Sequence, residues 1–511
     1  MSDWSSGYVT EVGYTHGFYR ELLPHQLAFA ALTKGYNVRG LPGEGLRVLE
    51  LGCGQGLSAN LIAAGNPHVD YVAVDFNPSH IAGAAQLAAE ANLTNIRFVE
   101  ASFEEIANDD SLGKFDMVNL HGIYTWVSAE NRAHIVKIAR DKLKSGGLLY
   151  VSYNCFPGWG QVLPIRRLFT DTAHANPAVP IFDRLAEGFE IFDRLKQLKA
   201  RYLLASPGLV ERMEKTRSLQ RNYVAHEYLN GEWTIFHSPD VATDMAEAKL
   251  TFVGSANLLD NVDVLNLTPE QVEFLATIKD PQRREWLKDL IINQGFRRDI
   301  FVRGAPQLQL IAWQEKWMDL RFVLAGHAVD VPRKVKGMLG EADLQAEVHD
   351  PILARLDNGA KSVRELLSDP AVARLGLAKI FQALNVMVGQ GHCYVALPAA
   401  SEAERTKRAD AMNGAIMRRA RDSADLAFLV SPVSGCGLQA DRLAQLFLLA
   451  ARQKTPDRAI LVWQWLSAVG QKLAVDGRPL ETEEENIADL RTRLEKFDKE
   501  QGRVFATLKI R

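Results

Sequence analysis

Between residues 46 and 154 the apolar positions switch repeatedly between short runs of strand length and longer stretches with apolar residues three and four apart. Such switching predicts a parallel sheet joined by crossover helices. Strands are expected at residues 47–51 (RVLEL), 71–75 (YVAVD), 96–100 (IRFVE), 117–120 and 147–153 (GLLYVSY). Helices are expected at 57–64, 78–91 and 131–143, the last stopped by Lys144, Ser145, Gly146 and Gly147. From 162 to about 221 the pattern turns wholly helical, as in FDRLAEGFEIFDRLKQLKARYLL. Sheet character then returns, with a helix opened by Ser238, Pro239 and Asp240 and strands at 250–253 and 296–302. These strands complete the same sheet, which makes 162–221 an insertion.

Past Pro306, residues 362–367, 376–389 and 392–397 give helix, helix, strand, a winged-helix-like pattern. A charged linker is expected at 402–408, then a helical region to 466, then a solvated helix in ETEEENIADLRTRLEKFDKEQ. The expected fold is α/β, divided into a cap segment (1–45), a Rossmann-like core (46–160), a helical insertion (161–222), a region completing the sheet (223–305), a winged-helix-like middle domain (306–400) and a C-terminal helical domain (401–511).

Candidate chemistry gathers at the strand ends. The first strand runs into Glu50-Leu51-Gly52-Cys53-Gly54-Gln55-Gly56. Glycines spaced this closely let a ligand approach the backbone because no Cβ intrudes, although a tight strand-to-helix turn without a ligand uses them equally well. The spacing departs from the Gly-x-Gly-x-x-Gly of dinucleotide sites. Asp75 closes the second strand, where a carboxylate accepts from both hydroxyls of a ribose. It also suits the N-cap of the helix beginning at Asn77-Pro78. After the fourth strand, LHGIYTWV carries His121, Tyr124 and Trp126 to the sheet end where open α/β sheets bind ligands. Each of the three also suits a packed core, and His121 is the candidate base. The N-terminal aromatics Tyr8, Tyr14, Phe18 and Tyr19 suit a segment packed on the sheet or closed over a ligand, with Tyr14 and His16 the residues to touch it.

The 511 residues exceed one ordinary core, and 47% hydrophobic residues supply ample apolar surface. A formal net charge of -3 gives no electrostatic footprint for nucleic acid. The basic cluster of Arg333, Lys334 and Lys336 is too small to bind phosphate usefully, so no nucleic-acid partner is expected. Cys53, Cys155, Cys393 and Cys436 lie far apart, without metal-ligand spacing, and read as reduced thiols with no metal site. No stretch has the length to cross a bilayer and no basic head precedes an apolar core, so a soluble, cytoplasmic protein without membrane insertion is expected.

The ELGCGQG segment resembles motif I of class I S-adenosylmethionine-dependent methyltransferases. With YVTEVGYTHGFYRELLP, HGIYTWV and YNCFPGW, the chain resembles a bacterial subfamily that carries a methyltransferase regulatory region after its catalytic core. Residues 226–258 and FRRDIFVRG resemble that region, and VSPVSGCGL resembles the C-terminal extension. The resemblance implies a seven-stranded class I methyltransferase sheet and S-adenosyl-L-methionine as cofactor. It implies Glu50, Gly52, Gly54 and Gly56 around the methionine portion, Asp75 on the ribose, and Ser102 and Phe103 beside the adenine. Many members place Asp where this chain has Ser102. It further implies Tyr14 at the cofactor carboxylate or sulfonium, and His121, Tyr124 and Trp126 facing the methyl group. The best-understood relatives are protein-lysine methyltransferases of outer-membrane proteins, which implies lysine Nε of a protein as acceptor. A small-molecule or glycan acceptor, and a cofactor-binding regulator without turnover, stay open, as does a homodimer.

Overall fold

Seven strands form one sheet in the computed structural model, which describes residue 9 and residues 11–511. They are β1 (Leu46–Leu51), β2 (Val69–Asp75), β3 (Ile96–Glu100), β4 (Phe115–Leu120), β5 (Leu143–Asn154), β6 (Thr251–Ser255) and β7 (Phe296–Val302), ordered β3-β2-β1-β4-β5-β7-β6. The first five run parallel, and β7 runs antiparallel to both of its neighbours. The two late strands therefore complete the sheet, as expected from 250–253 and 296–302.

Central strands covered on both faces read as continuous apolar runs, with alternate residues feeding opposite cores. Val48, Tyr71, Ala73, Met117, Leu148 and Tyr150 belong to one core, while Leu49, Leu51, Val72, Val74, Val118 and Leu149 belong to the other. The covering helices are α1 (Pro24–Thr33), α2 (Leu57–Gly65), α3 (Pro78–Glu90), α4 (Phe103–Asn108) and α5 (Ala129–Lys142). Every residue of α1 except Thr33 is buried, so this helix has no polar stripe to betray its period. β5 starts at Leu143 and runs straight through the predicted stop at 144–147.

The insertion is helical, at Leu163–Ala175, Ile181–Gln197, Arg201–Leu204 and Pro207–Arg217, and it shares a core with the helix Arg221–Leu229. In the middle region, strand Arg321–Leu324 lies between Lys361–Ser362 and Cys393–Ala396 in an antiparallel sheet. Helices Ala346–Leu356, Val363–Leu366 and Leu377–Gln390 pack against it through Leu353, Leu366 and Leu384. Of the basic cluster there, Arg333 pairs with Asp350 and Lys334 with Glu341.

Two expectations for the C-terminal region need correction. Residues 402–408 are no linker but the opening turns of an 18-residue helix, Glu402–Arg419. Glu402 and Glu404 favour that helix start electrostatically, and Arg405, 1% exposed, donates to the carbonyls of Pro398 and Pro432. The terminal helix Glu483–Glu500 buries Asn486, Leu490 and Phe497, so only part of its surface is solvated. The C-terminal region packs directly on the catalytic core. Leu57, Leu61 and Ala64 of α2 and Leu87 of α3 share one core with Ile416, Leu429 and Val430.

Candidate functional site

At the carboxyl ends of β1, β2 and β4, where strand order reverses about β1, a cleft opens to solvent. Its floor is the glycine loop. Gly52 N and Cys53 N both donate to Val74 O, which pulls the loop against the end of β2. Gly52, Gly54 and Gly56 all have positive φ, at 73°, 53° and 66°. A Cβ on Gly52 would lie 2.2 Å from Ile123, and one on Gly56 would lie 2.5 Å from Ala84. A Cβ on Gly54 would meet nothing nearer than Tyr14 at 3.9 Å. Thus two glycines permit close packing and the third leaves room in the cleft.

Asp75 faces this loop. Its Oδ2 accepts from Gly54 N at 2.8 Å, its Oδ1 accepts from Asn77 N at 2.9 Å, and His80 Nδ1 lies 3.3 Å away. The N-cap of α3 is Asn77, which accepts from Ser79 N, so the capping alternative for Asp75 is replaced by a bond to the glycine loop. Glu50 is buried at the cleft floor and accepts from Tyr71 Oη at 2.7 Å. Burial pushes its pKa up to about 7, against the lowering effect of that hydrogen bond.

Ser102 and Phe103 border the cleft at the start of α4. The Ser102 hydroxyl donates to Glu105 and accepts from Glu105 N, a capping box that leaves the oxygen one further lone pair for an incoming amine.

His121 and Trp126 also line the cleft. His121 Nδ1 pairs with Tyr150 Oη at 2.7 Å, and Tyr19 lies over the imidazole with ring centroids 3.9 Å apart. Desolvation lowers the His121 pKa to about 4, so the ring is neutral at pH 7. Tyr124 does not reach the cleft. A short 3₁₀ turn at Tyr124–Trp126 sends this side chain into the core, fully buried against Phe236, with its Oη donating to Asp244 at 2.7 Å.

The N-terminal segment forms a strap over the cleft. The carbonyls of Tyr14 and Gly17 accept from Gln55 Nε2 and Ser58 Oγ at the start of α2, and Tyr19 N donates to Ser58 Oγ. On the other side, Val9 N donates to Asn230 Oδ1, His226 Nε2 to Val12 O and Asn222 Nδ2 to Gly13 O. Tyr14, Thr15, Gly17 and Tyr19 line the cleft, whereas His16 does not. Burial lowers the His16 pKa, with Asp425 of the C-terminal region opposing the shift. Tyr8 lies outside the described residues. Sequence reasoning named Tyr19 in the N-terminal aromatic segment but chose His16 beside Tyr14 to touch the ligand, and it missed Gln55, Ser58, Phe76 and His80 as lining residues; Phe76 and His80 stood in the Asp75–His80 run and were detectable by proximity to Asp75.

The cleft suits S-adenosylmethionine on three counts: the open space above Gly54, the buried acids Glu50 and Asp75, and the aromatic faces of Tyr14, Tyr19 and Trp126 that favour a sulfonium cation. Among the described residues, no group of three His, Cys, Asp or Glu could hold a metal, and no helix is long and apolar enough to cross a membrane.

Fold and cleft together define a class I, S-adenosylmethionine-dependent methyltransferase. Residues 42–224 match the family described as a methyltransferase domain, and residues 220–303 match the predicted methyltransferase regulatory domain. A Synechocystis protein, sll1526, is 40% identical over 97% of both chains. The Rickettsia prowazekii protein RP789 is 30% identical over 56% of this chain and 51% of its own. PKMT2 from Rickettsia typhi, solved in complex with AdoHcy, shares the fold with a TM-score of 0.70 at 18% identity, over 95% of this chain and 98% of that one. The chain belongs to the family of methyltransferases that carry a methyltransferase regulatory domain.

Proposed function

We propose that this methyltransferase modifies the Nε of a lysine in a protein substrate, and that an outer-membrane protein taken before it folds is one such substrate. The observation that carries the reading is the aromatic mouth of the cleft between Tyr14 and Trp126, beyond the glycine loop. Aromatic walls accept the alkyl stem and cationic tip of a lysine, and burial there eases loss of the proton that must leave before the amine can act as nucleophile. The agreement of fold with PKMT2 along nearly the whole chain supports the same substrate class.

S-Adenosylmethionine supplies a methyl group on a sulfonium leaving group, so the protein's task is alignment. In this assignment Gly52, Gly54 and Gly56 keep the space for the methionine portion, with Glu50 beneath it. Asp75 would accept from the ribose hydroxyls, while its bond to Gly54 N sets the loop. Ser102 and Phe103 would border the adenine. Tyr14 and Tyr19, on the strap, would favour the sulfonium charge. A ring whose pKa lies near 4 takes protons poorly at neutral pH, so His121 positions Tyr19 and is no base. The domain boundaries at 160, 222, 305 and 400 are part of this proposal, with the core holding cofactor and the later regions framing the acceptor.

Purified protein incubated with methyl-labelled cofactor and cell extract tests the proposal. Label on lysine in tryptic peptides is the expected result. Label confined to small molecules or glycans overturns it.

A further inference from the structure

A second, narrower pocket adjoins the cleft and shares Tyr14, Gly122 and Trp126 with it. Its far wall is the helix Arg221–Leu229 with the residue that follows: Tyr223, His226, Glu227 and Asn230. Three of these belong to the HEYLN run at 226–230, whose residues the cofactor site does not use.

Glu227 is the only carboxylate among the residues lining this pocket and is 6% exposed. Its Oε1 accepts from Asn154 Nδ2, at the end of β5, at 2.9 Å. Among the described residues no cation forms an ion pair with it. Arg166 lies over Trp233 and donates to Asn230 O, and Arg212 lies over Trp159 and donates to Gly158 O. A buried carboxylate without a paired cation costs free energy that folding alone does not recover. Asn230 Nδ2 likewise has no acceptor among the described residues. The other walls are aromatic, which suits a cation with an alkyl stem.

Resting on the lysine reading above, we propose that this pocket receives the acceptor amine and that Glu227 is a catalytic residue, binding the incoming ammonium and removing its proton. In the step, a carboxylate oxygen of Glu227 takes one proton from the ammonium. The N–H bond pair stays on nitrogen as the lone pair that would attack the methyl carbon as the S–CH3 bond breaks and its electron pair passes to sulfur, leaving a neutral thioether, and the proton later leaves Glu227 for solvent. Burial raises the Glu227 pKa to about 7, near the pH at which a base works best, with Asn154 and the charges of Arg166 and Arg212 opposing the rise. Arg221, Tyr223, His226 and Tyr228 are the other titratable or charged groups of its helix, and Arg166 and Arg212 are the charged groups that act on it from the insertion. The regulatory region therefore supplies part of the active site itself.

The test uses the full chain loaded with AdoHcy and n-butylammonium as the probe, measured by calorimetry between pH 6 and 8. Wild type binds the probe more tightly as pH rises through about 7, and Glu227→Gln loses at least tenfold in affinity and the pH dependence. 1-Butanol binds both proteins alike, and an unchanged AdoHcy affinity in Glu227→Gln shows that the cleft is intact. Retained ammonium affinity in Glu227→Gln, or no binding to wild type, overturns the proposal. Lysine labelling in extract alongside that result leaves the lysine reading standing. Glu227-dependent probe binding with label only in small amines removes the lysine reading and keeps the pocket.

Discussion

The three loop glycines separate two demands that one sequence motif hides. Gly56 packs against Ala84 and Phe98, so Gly56→Ala forces a Cβ into van der Waals overlap at positive φ and should destabilise the fold by ~2–4 kcal/mol. Gly54 faces open space, so Gly54→Arg should abolish cofactor binding in calorimetry while thermal unfolding shifts less than for Gly56→Ala. The reverse ranking would remove Gly54 from the site. Glu50 gives a pH prediction. Its pKa is raised from 4.5 to about 7 in the folded chain, so the native state holds a proton that the unfolded state has released between those values. Its destabilising effect is absent below about 4.5, grows as pH rises, and is complete above about 7. Glu50→Gln should therefore raise the melting temperature at pH 8 but not at pH 4.5, and should weaken cofactor binding; equal shifts at both pH values would count against a buried carboxylate. At this scale the sequence brought Gly54, Asp75 and Trp126 to the cleft, where the structure places them. It misled at Tyr124, because a 3₁₀ turn reverses neighbouring side chains within three residues and leaves no periodic trace.

Among the elements, the strands and the first crossover helices were legible because their two periods differ so plainly. α1 was not, since a helix buried on all sides loses the amphipathic signal, and the strap was legible only as a density of aromatic rings. Its attachment depends on Ser58, whose hydroxyl serves Gly17 O and Tyr19 N together, and no local pattern announces such a role. Ser58→Ala removes both bonds without opening a large cavity. It should leave global stability within ~1 kcal/mol, the net scale of a hydrogen bond or two, yet speed hydrogen exchange at residues 13–19 and weaken cofactor binding several-fold. Unaltered exchange at the strap would show that Gln55 and the contacts to the helix Arg221–Leu229 suffice to hold it.

Across the whole molecule, α2 is the element through which the C-terminal region bears on the site. One end of α2 begins at Gly56 in the glycine loop, and the other ends against the VSPVSGCGL run, where Asn66 Nδ2 donates to Gly435 O. A Cβ on Gly65 would lie 2.8 Å from Gly435 Cα, and one on Gly435 would lie 2.8 Å from the Asn66 amide, with Gly435 at φ 66°. Sequence showed this run as a family signature but not what it touches, because 369 residues separate Asn66 from Gly435. Gly435→Val should force the two surfaces apart, lowering the melting temperature and weakening cofactor affinity although residue 435 does not line the cleft. Arg419→Ala provides the contrast. It removes an ion pair with Glu90 that is about one-third exposed on each side, a type of contact worth ~0–1 kcal/mol, and should change neither quantity much. If Gly435→Val lowers stability but leaves cofactor affinity at the wild-type value, the C-terminal region braces the fold without setting the glycine loop; a loss of both assigns it a part in shaping the site through α2.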